Sequence, residues 1–186
     1  MIQGAEAEVE IKEGEVIKKR PKKKYRHPDL DSRIRKKRTQ TEFSSMQKAR
    51  RNGVNVPKVE KNSDYILKME LVEGKTLEED FNPEKMTEVG ENVQKLHESG
   101  LIHGDLTTKN IISNEKVTLI DFGLSKDSSS LEDRAIDLHL LKQILESSHP
   151  NKFEKAWNNF LDSYRPGFRE EILDRLGEIE ERGRYK

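Results

Sequence analysis

His103-Gly104-Asp105-Leu106-Thr107-Thr108-Lys109-Asn110, followed at 121–123 by Asp-Phe-Gly, is the stretch on which the reading of this chain turns. An aspartate and an asparagine separated by four residues, then a second aspartate on a short turn, is the sequence form of a phosphoryl-transfer site. In that pattern Asp105 orients a hydroxyl or a water, and Asn110 and Asp121 hold magnesium against the phosphates of ATP. Magnesium takes oxygen ligands and keeps several waters, so one carboxylate, one amide oxygen and the phosphates suffice. Asp-Phe-Gly alone would be no more than a turn. Its distance from the Asp-x4-Asn pair gives it chemical meaning. Residues 111–112 and 117–120, around Asn114-Glu115, read as a hairpin with Asn110 at its opening and Asp121 at its close.

Toward the N-terminus, Ala7, Val9 and Ile11 alternate with Glu8 and Glu10, the period of a half-buried strand. Lys12-Glu13-Gly14 supplies a turn, and residues 15–18 return as a second strand. Gly4-Ala5-Glu6-Ala7-Glu8-Val9 has the spacing of a phosphate-covering loop, with small residues that let backbone N–H groups come close. Ile2, Gly4, Ala5, Glu6, Ala7 and Val9 are its candidate nucleotide contacts, and Glu6 is an unusual occupant. Lys18 is the candidate phosphate-binding lysine, favoured over Lys19 by the strand alternation. Its charge needs a carboxylate partner, and Glu42 is the candidate, early in a helix predicted over 39–51 that Asn52-Gly53 stops. A strand over 65–71 leads into Met69-Glu70-Leu71-Val72-Glu73-Gly74. This resembles a kinase hinge, in which Met69 would be the gatekeeper and the backbone of Glu70 and Val72 would pair with adenine.

The second half reads as mostly helical. Asn82-Pro83 opens a helix that Gly100 stops, with Met86, Val89, Val93 and Leu96 on one face. Ile136, Leu140 and Leu141 predict a buried helix ending before Pro150. Phe153, Ala156, Trp157, Phe160, Leu161 and Tyr164 form a helical stripe that reads as core. A last helix is predicted over 168–181, with Ile172, Leu173, Leu176 and Ile179 inward. Ser128-Ser129-Ser130 falls where a mobile loop is expected.

Composition sets limits. The chain has 186 residues, 35 basic and 35 acidic, so net charge says nothing about partners. The distribution does: residues 18–38 hold twelve Lys or Arg against two Asp, a run that needs an acidic or solvated neighbour. Cysteine is absent, which excludes disulfides and thiolate metal sites. No apolar run is long enough to span a membrane, and a soluble, cytoplasmic protein is expected. No helical His pair or carboxylate cluster supports zinc at His27 or His103.

In this order the motifs resemble the protein kinase superfamily, over essentially the whole chain. That implies an α+β, minimal bilobal kinase-like fold: an N-lobe of sheet plus one main helix over 1–72, a mainly helical C-lobe over 73–181, and a basic tail, 182–186. It implies Asp105, Lys18 and Glu42 as catalytic residues, with ATP and Mg2+ as cofactors. There are departures. His-Gly-Asp replaces His-Arg-Asp, removing the arginine that reads a phosphorylated activation loop. There is no Ala-Pro-Glu motif, and Asp137 follows Asp121 too closely for a broad peptide platform. Thr107 stands where serine kinases usually carry lysine.

Finer features narrow the resemblance. Gly-Ala-Glu-Ala at 4–7, Tyr25-Arg26-His27-Pro28 with Leu30-Asp31, Arg38-Thr39-x-x-Glu42 and Glu132-Asp133-Arg134-Ala135-Ile136-Asp137-Leu138 resemble the small BUD/PRPK-type kinase of the KEOPS complex. The resemblance implies an ATPase and atypical serine/threonine kinase supporting threonylcarbamoyladenosine formation on tRNA. It also implies two partners, an OSGEP-type transferase subunit and a PRPK-binding-type subunit. The basic segments 18–38 and 182–186 are then candidates to face tRNA; the alternative for 18–38 is a solvated face beside an acidic protein. Two other readings compete: a RIO-type or antibiotic/choline-type phosphotransferase, which also uses His-Gly-Asp, and a scaffold with an inert site.

Overall fold

The computed structural model describes residues 2–3 and 7–184. Gly4, Ala5 and Glu6 of the glycine-bearing loop, together with Tyr185 and Lys186, lie outside the described residues. β1 (Ile2–Gln3), β2 (Glu8–Lys12) and β3 (Glu15–Lys19) lead to the long helix α1 (Pro28–Arg51), then β4 (Val59–Ser63) and β5 (Ile66–Glu70). The five strands form one antiparallel sheet in the order β1-β2-β3-β5-β4. Side chains alternate between faces along a strand, so register decides what looks toward the rest of the molecule. Val9, Lys18 and Leu67 lie opposite one another, as do Ile11, Val16 and Met69, two rows on one face.

α1 begins eleven residues before the predicted start. Lys and Arg dominate its first half, and the apolar periodicity that marks a helix starts only further on. Pro28 in the first turn, with Asp29 and Asp31 beside the helix N-terminus, was the available signal. The second half of the basic run, from Pro28, is therefore helix, and Glu42 lies in the helix interior rather than near its start. β4, Val-Glu-Lys-Asn-Ser, has no strand alternation of apolar residues and is made by pairing with β5.

The second half contains β6 (Lys75–Thr76), α2 (Met86–Glu98), β7 (Leu101–Ile102), β8 (Ile111–Ser113), β9 (Val117–Leu119), β10 (Lys126–Asp127), α3 (Leu131–Ser148), α4 (Phe153–Ser163) and α5 (Arg169–Arg184). β6, β8 and β9 make a small sheet that includes the predicted hairpin. In α3 the inward residues are Ala135, Leu138, Leu141 and Leu145. Ile136, expected inside, is 49% exposed, and Leu140 is half-buried. The aromatic stripe of α4 is core: Ala156, Phe160 and Tyr164 are buried, and Trp157 stacks on Phe160. α5 runs three residues past the predicted end, so residues 182–184 are helical rather than a tail, and Arg182 pairs with Glu178 and Glu132.

Asn55 joins the two halves. Its backbone N–H donates to Asn92 Oδ1 at 2.7 Å, its Nδ2 to Val117 O at 2.7 Å, and its carbonyl accepts from Leu119 N. One apolar core runs from Met46 and Ala49 through Val54 and Val56 into α2, β9 and the C-terminal helices.

α2 and α4 approach closely at Gly90, where a Cβ would stand 2.6 Å from Phe160 O and 2.1 Å from Ser163 Oγ. Gly90→Ala is expected to destabilise the chain by about 1–3 kcal/mol through overpacking. Gly177 faces open space inside α5, and Gly177→Ala is expected to stabilise by about 0.5–1 kcal/mol. Thermal melts of both variants check the pair; equal shifts in one direction would contradict this packing.

Candidate functional site

Between the five-stranded sheet and the small β6-β8-β9 sheet lies a cleft of about 550 Å3. Its roof is the Val9–Ile11 and Val16–Lys18 face, its back is the hinge segment 69–74, and its floor includes Ile112, Ile120 and Asp121. Of the predicted nucleotide contacts, Val9, Lys18, Met69, Glu70 and Val72 line it. Ala7, by contrast, is buried and does not.

Lys18 is buried at the junction. Its Nζ lies 2.7 Å from Glu42 Oε1 and 2.8 Å from Asp121 Oδ1, joining sheet, helix and floor. Lys19 points the other way and is exposed. Glu42 is fully buried and also accepts from Arg20 Nη2 at 2.6 Å. Arg20 is a site residue that the sequence reading missed, although strand alternation places it on the same side as Lys18.

Asp121 has φ +61°, the left-handed region that aspartate tolerates better than most residues. Burial works to raise its carboxyl. The Lys18 ammonium, the hydrogen bonds from Lys18 and Gly123 N, and the charge of Arg20 outweigh burial and hold it below the usual carboxylate range. Asn110 Nδ2 donates to the Asp105 carbonyl and to Asp105 Oδ2, both at 2.9 Å. That orientation leaves the Asn110 amide oxygen as an acceptor for a cation. Asp121, with Oδ1 taken by Lys18 and Gly123, keeps Oδ2. Two oxygen donors of this kind fit magnesium bound mainly through phosphates and water. Among the described residues no group of three or more His, Asp or Glu could hold a metal by itself.

The loop carrying Asp105 hangs from α3. Asp137, 1% exposed, accepts from His103 N at 2.6 Å and Gly104 N at 2.8 Å. His103 Nε2 lies 3.1 Å from Ile120 O, which ties the loop to the strand before Asp121. Gly104 has φ +78°, and a Cβ there would stand 2.3 Å from the carbonyl oxygen of Leu124. The missing arginine is thus sterically forbidden. After Asp-Phe-Gly, β10 pairs with β7, Ser128 Oγ donates to Asp133, and Ser130 caps α3. The serines expected in a mobile loop are tied down. On the far side of Asp105 is a smaller cavity of about 250 Å3 lined by Glu78, Thr107, Lys109, Asn110, Ile144 and Ser148; there Lys109 pairs with Glu78 at 3.5 Å.

Gly104→Ala is expected to lower stability by about 2–4 kcal/mol, from the left-handed backbone and the clash together, and Gly104→Arg by at least as much. Unchanged melting of either variant would show that the segment after Asp121 yields freely. His103 gives a pH dependence. Burial is the main cause lowering its pKa below the ordinary 6.5, against the nearby carboxylates. The unfolded chain therefore binds the proton more readily. Stability is full above about pH 6.5 and falls by roughly 1.4 kcal/mol per pH unit below it, until the folded-state value is reached. His149, also lowered chiefly by burial, acts in the same direction. Urea unfolding at pH 7.5 and 5.5 should show the loss, and His103→Gln should shrink it.

A family model, the RIO domain, matches residues 9–152. The chain is 39% identical to the KEOPS complex subunit Bud32 of Pyrococcus abyssi, covering 99% of this chain and 94% of that one. It is 42% identical to a probable bifunctional tRNA threonylcarbamoyladenosine biosynthesis protein of Methanosarcina mazei, covering 98% of this chain but only 35% of the relative's length. Among solved structures, the Rio2 kinase–ADP/Mg2+–phosphoaspartate complex from Chaetomium thermophilum matches with a TM-score of 0.66 at 17% identity, covering 99% of this chain and 70% of that one. At that identity the likeness speaks for the fold, which is the bilobal kinase fold expected from the motifs. The RIO-type and BUD-type readings, set against each other by sequence, are thus nested. The chain belongs to the RIO-domain family and, within it, to the Bud32 group.

Proposed function

We propose that this chain is a Mg-ATP-dependent phosphoryl transferase and ATPase, an atypical serine/threonine kinase of a KEOPS-type complex that supports threonylcarbamoyladenosine formation on tRNA. The observation that carries the catalytic part is Lys18, seated in the cleft roof and bonded at once to Glu42 and Asp121. In this reading Val9 and the hinge residues Met69, Glu70 and Val72 receive the base, Lys18 meets the phosphates, and Asn110 and Asp121 hold magnesium. Bound magnesium would neutralise charge building on the transferred group. Asp105, fixed by Asn110, orients the attacking hydroxyl or water from the side of the smaller cavity.

The partner assignments, an OSGEP-type transferase subunit and a PRPK-binding-type subunit, rest on the family resemblance carried by Gly-Ala-Glu-Ala at 4–7, Tyr25-Arg26-His27-Pro28 with Leu30-Asp31 and the other stretches given above; the KEOPS complex itself is in the name of a relative. A cytoplasmic location belongs to the same proposal; among the described residues no helix is long and apolar enough to cross a membrane. The basic run contributes to a tRNA-facing surface only in part. Lys18 and Arg20 are buried in the site and Arg35 is bound to Asp31, whereas Lys19, Lys22, Lys24, Arg33, Lys36 and Lys37 are exposed. Such lysines and arginines suit phosphate contacts that weaken with salt.

The test is ATP turnover by the purified chain, alone and with the transferase subunit and tRNA. Asp105→Ala and Asp121→Ala are each expected to reduce turnover by at least about a hundredfold. Asp105→Ala should melt close to the unmutated chain, while Asp121→Ala should fold but melt lower, because it loses the Lys18 bond and puts alanine in a left-handed backbone. Turnover retained by either variant removes the role assigned to that residue. Nucleotide binding without hydrolysis under all conditions would favour the scaffold reading.

A further inference from the structure

Glu42 is fully buried, and a buried carboxylate must be matched by cations close to it. Lys18 supplies one, on Oε1, but Lys18 is shared with Asp121. Arg20 supplies the other, on Oε2, from a side chain only 5% exposed. Two cations and two carboxylates therefore close the junction of sheet, helix and Asp-Phe-Gly turn. Arg20 also touches that turn directly, since a Cβ on Gly123 would lie 2.9 Å from its Nη2.

Arg20 is itself held in place. Its N–H donates to Tyr65 O at 3.0 Å, and its carbonyl accepts from Arg35 Nη1 at 3.3 Å. Arg35 Nε donates to the buried Asp31 at 2.7 Å, and the other Asp31 oxygen accepts from Lys23 N. The chain leaving β3 is thus fastened to α1 at two heights, by the Arg20 side chain on Glu42 and by Arg35 on the Arg20 backbone. Among protein kinases such a helix is commonly placed by a phosphorylated loop acting through a charge relay. Here the clamp is built from the residue that follows β3.

We infer that Arg20 is a positioning residue for phosphoryl transfer, holding Glu42 and α1 so that Lys18 is free to serve the nucleotide without any signal from a phosphorylated segment. Without it, Lys18 alone would have to match Glu42 while facing Asp121 and the phosphates. What the clamp serves rests on the phosphoryl-transfer reading above; the clamp itself rests on the geometry.

The experiment compares the intact chain with Arg20→Met, Arg20→Lys and, as a control on an exposed residue of the same sheet, Lys12→Met. Steady-state ATP hydrolysis in Arg20→Met should show kcat down about tenfold or more with KM for ATP changed less than about threefold, the pattern of an interaction that matters in the transition state. Arg20→Lys should recover part of the loss, and Lys12→Met should stay within about twofold of the unmutated chain. Independently of turnover, hydrogen exchange of the amides at 39–46 should quicken about tenfold or more in Arg20→Met. Unmutated kcat together with unmutated exchange in Arg20→Met overturns the inference, and so does a loss confined to KM. If Arg20→Met does not fold, Arg20→Lys carries the same two measurements. An unmutated chain that hydrolyses no ATP counts against the proposed function, and exchange at 39–46 then decides the clamp alone.

Discussion

The carboxylate of Asp137, in the second turn of α3, accepts two convergent backbone N–H groups from His103 and Gly104, with His97 Nε2 at 3.4 Å. Charge-assisted bonds of this kind are strong, and in a dry setting a carboxylate without them would be costly. The layout of the lower half follows from that attachment. The loop must come within hydrogen-bonding range of a central helix, so Gly104 takes a left-handed turn and packs against the backbone of Leu124. The segment after Asp121 is then too close to accommodate a side chain at position 104. It leads by way of β10 and the Ser130 cap directly back into the helix that holds the loop.

The upper half is organised by charge rather than by apolar packing alone. β3 brings Lys18 and Arg20 to one side of the sheet, and α1 lowers Glu42 between them. Asp121 comes up from the floor to complete the set. Asn55 and the continuous core keep the two halves in register, so the floor and roof of the cleft are set by the same packing that stabilises the chain. A site of this kind is preorganised: its polar groups are aimed before a substrate arrives, which is where much of the catalytic benefit of an enzyme lies.

Much of this was legible in the sequence because the motif residues are tied to short-range structure. Asp105, Asn110 and Asp121 are placed by a loop and a hairpin whose turn residues are visible, and Lys18 by strict strand alternation. Tertiary placement was less visible. The start of α1 was hidden because a surface of Lys and Arg carries no hydrophobic period, leaving only Pro28 and two aspartates to mark it. Ile136 is apolar by type but turns outward because Asp137 and Ala135 take the inward side of that turn. Arg20 was lost among its basic neighbours: nothing local distinguishes an arginine bound to a buried glutamate from one in water. β4 exists only because β5 offers it a partner, so no reading of its own five residues would find it.

The length of α1 has a mechanical consequence. At 1.5 Å per residue, its 24 residues make a rod of about 36 Å, with Glu42 just beyond the midpoint and a basic first half. Bonds from Asp31, Arg35 and Glu42 fasten that rod to the chain between residues 20 and 23. Force applied to the outer turns is therefore not absorbed by a loop. It reaches the glutamate as a lever reaches its load, and the angle of the helix and the reach of Lys18 become one variable.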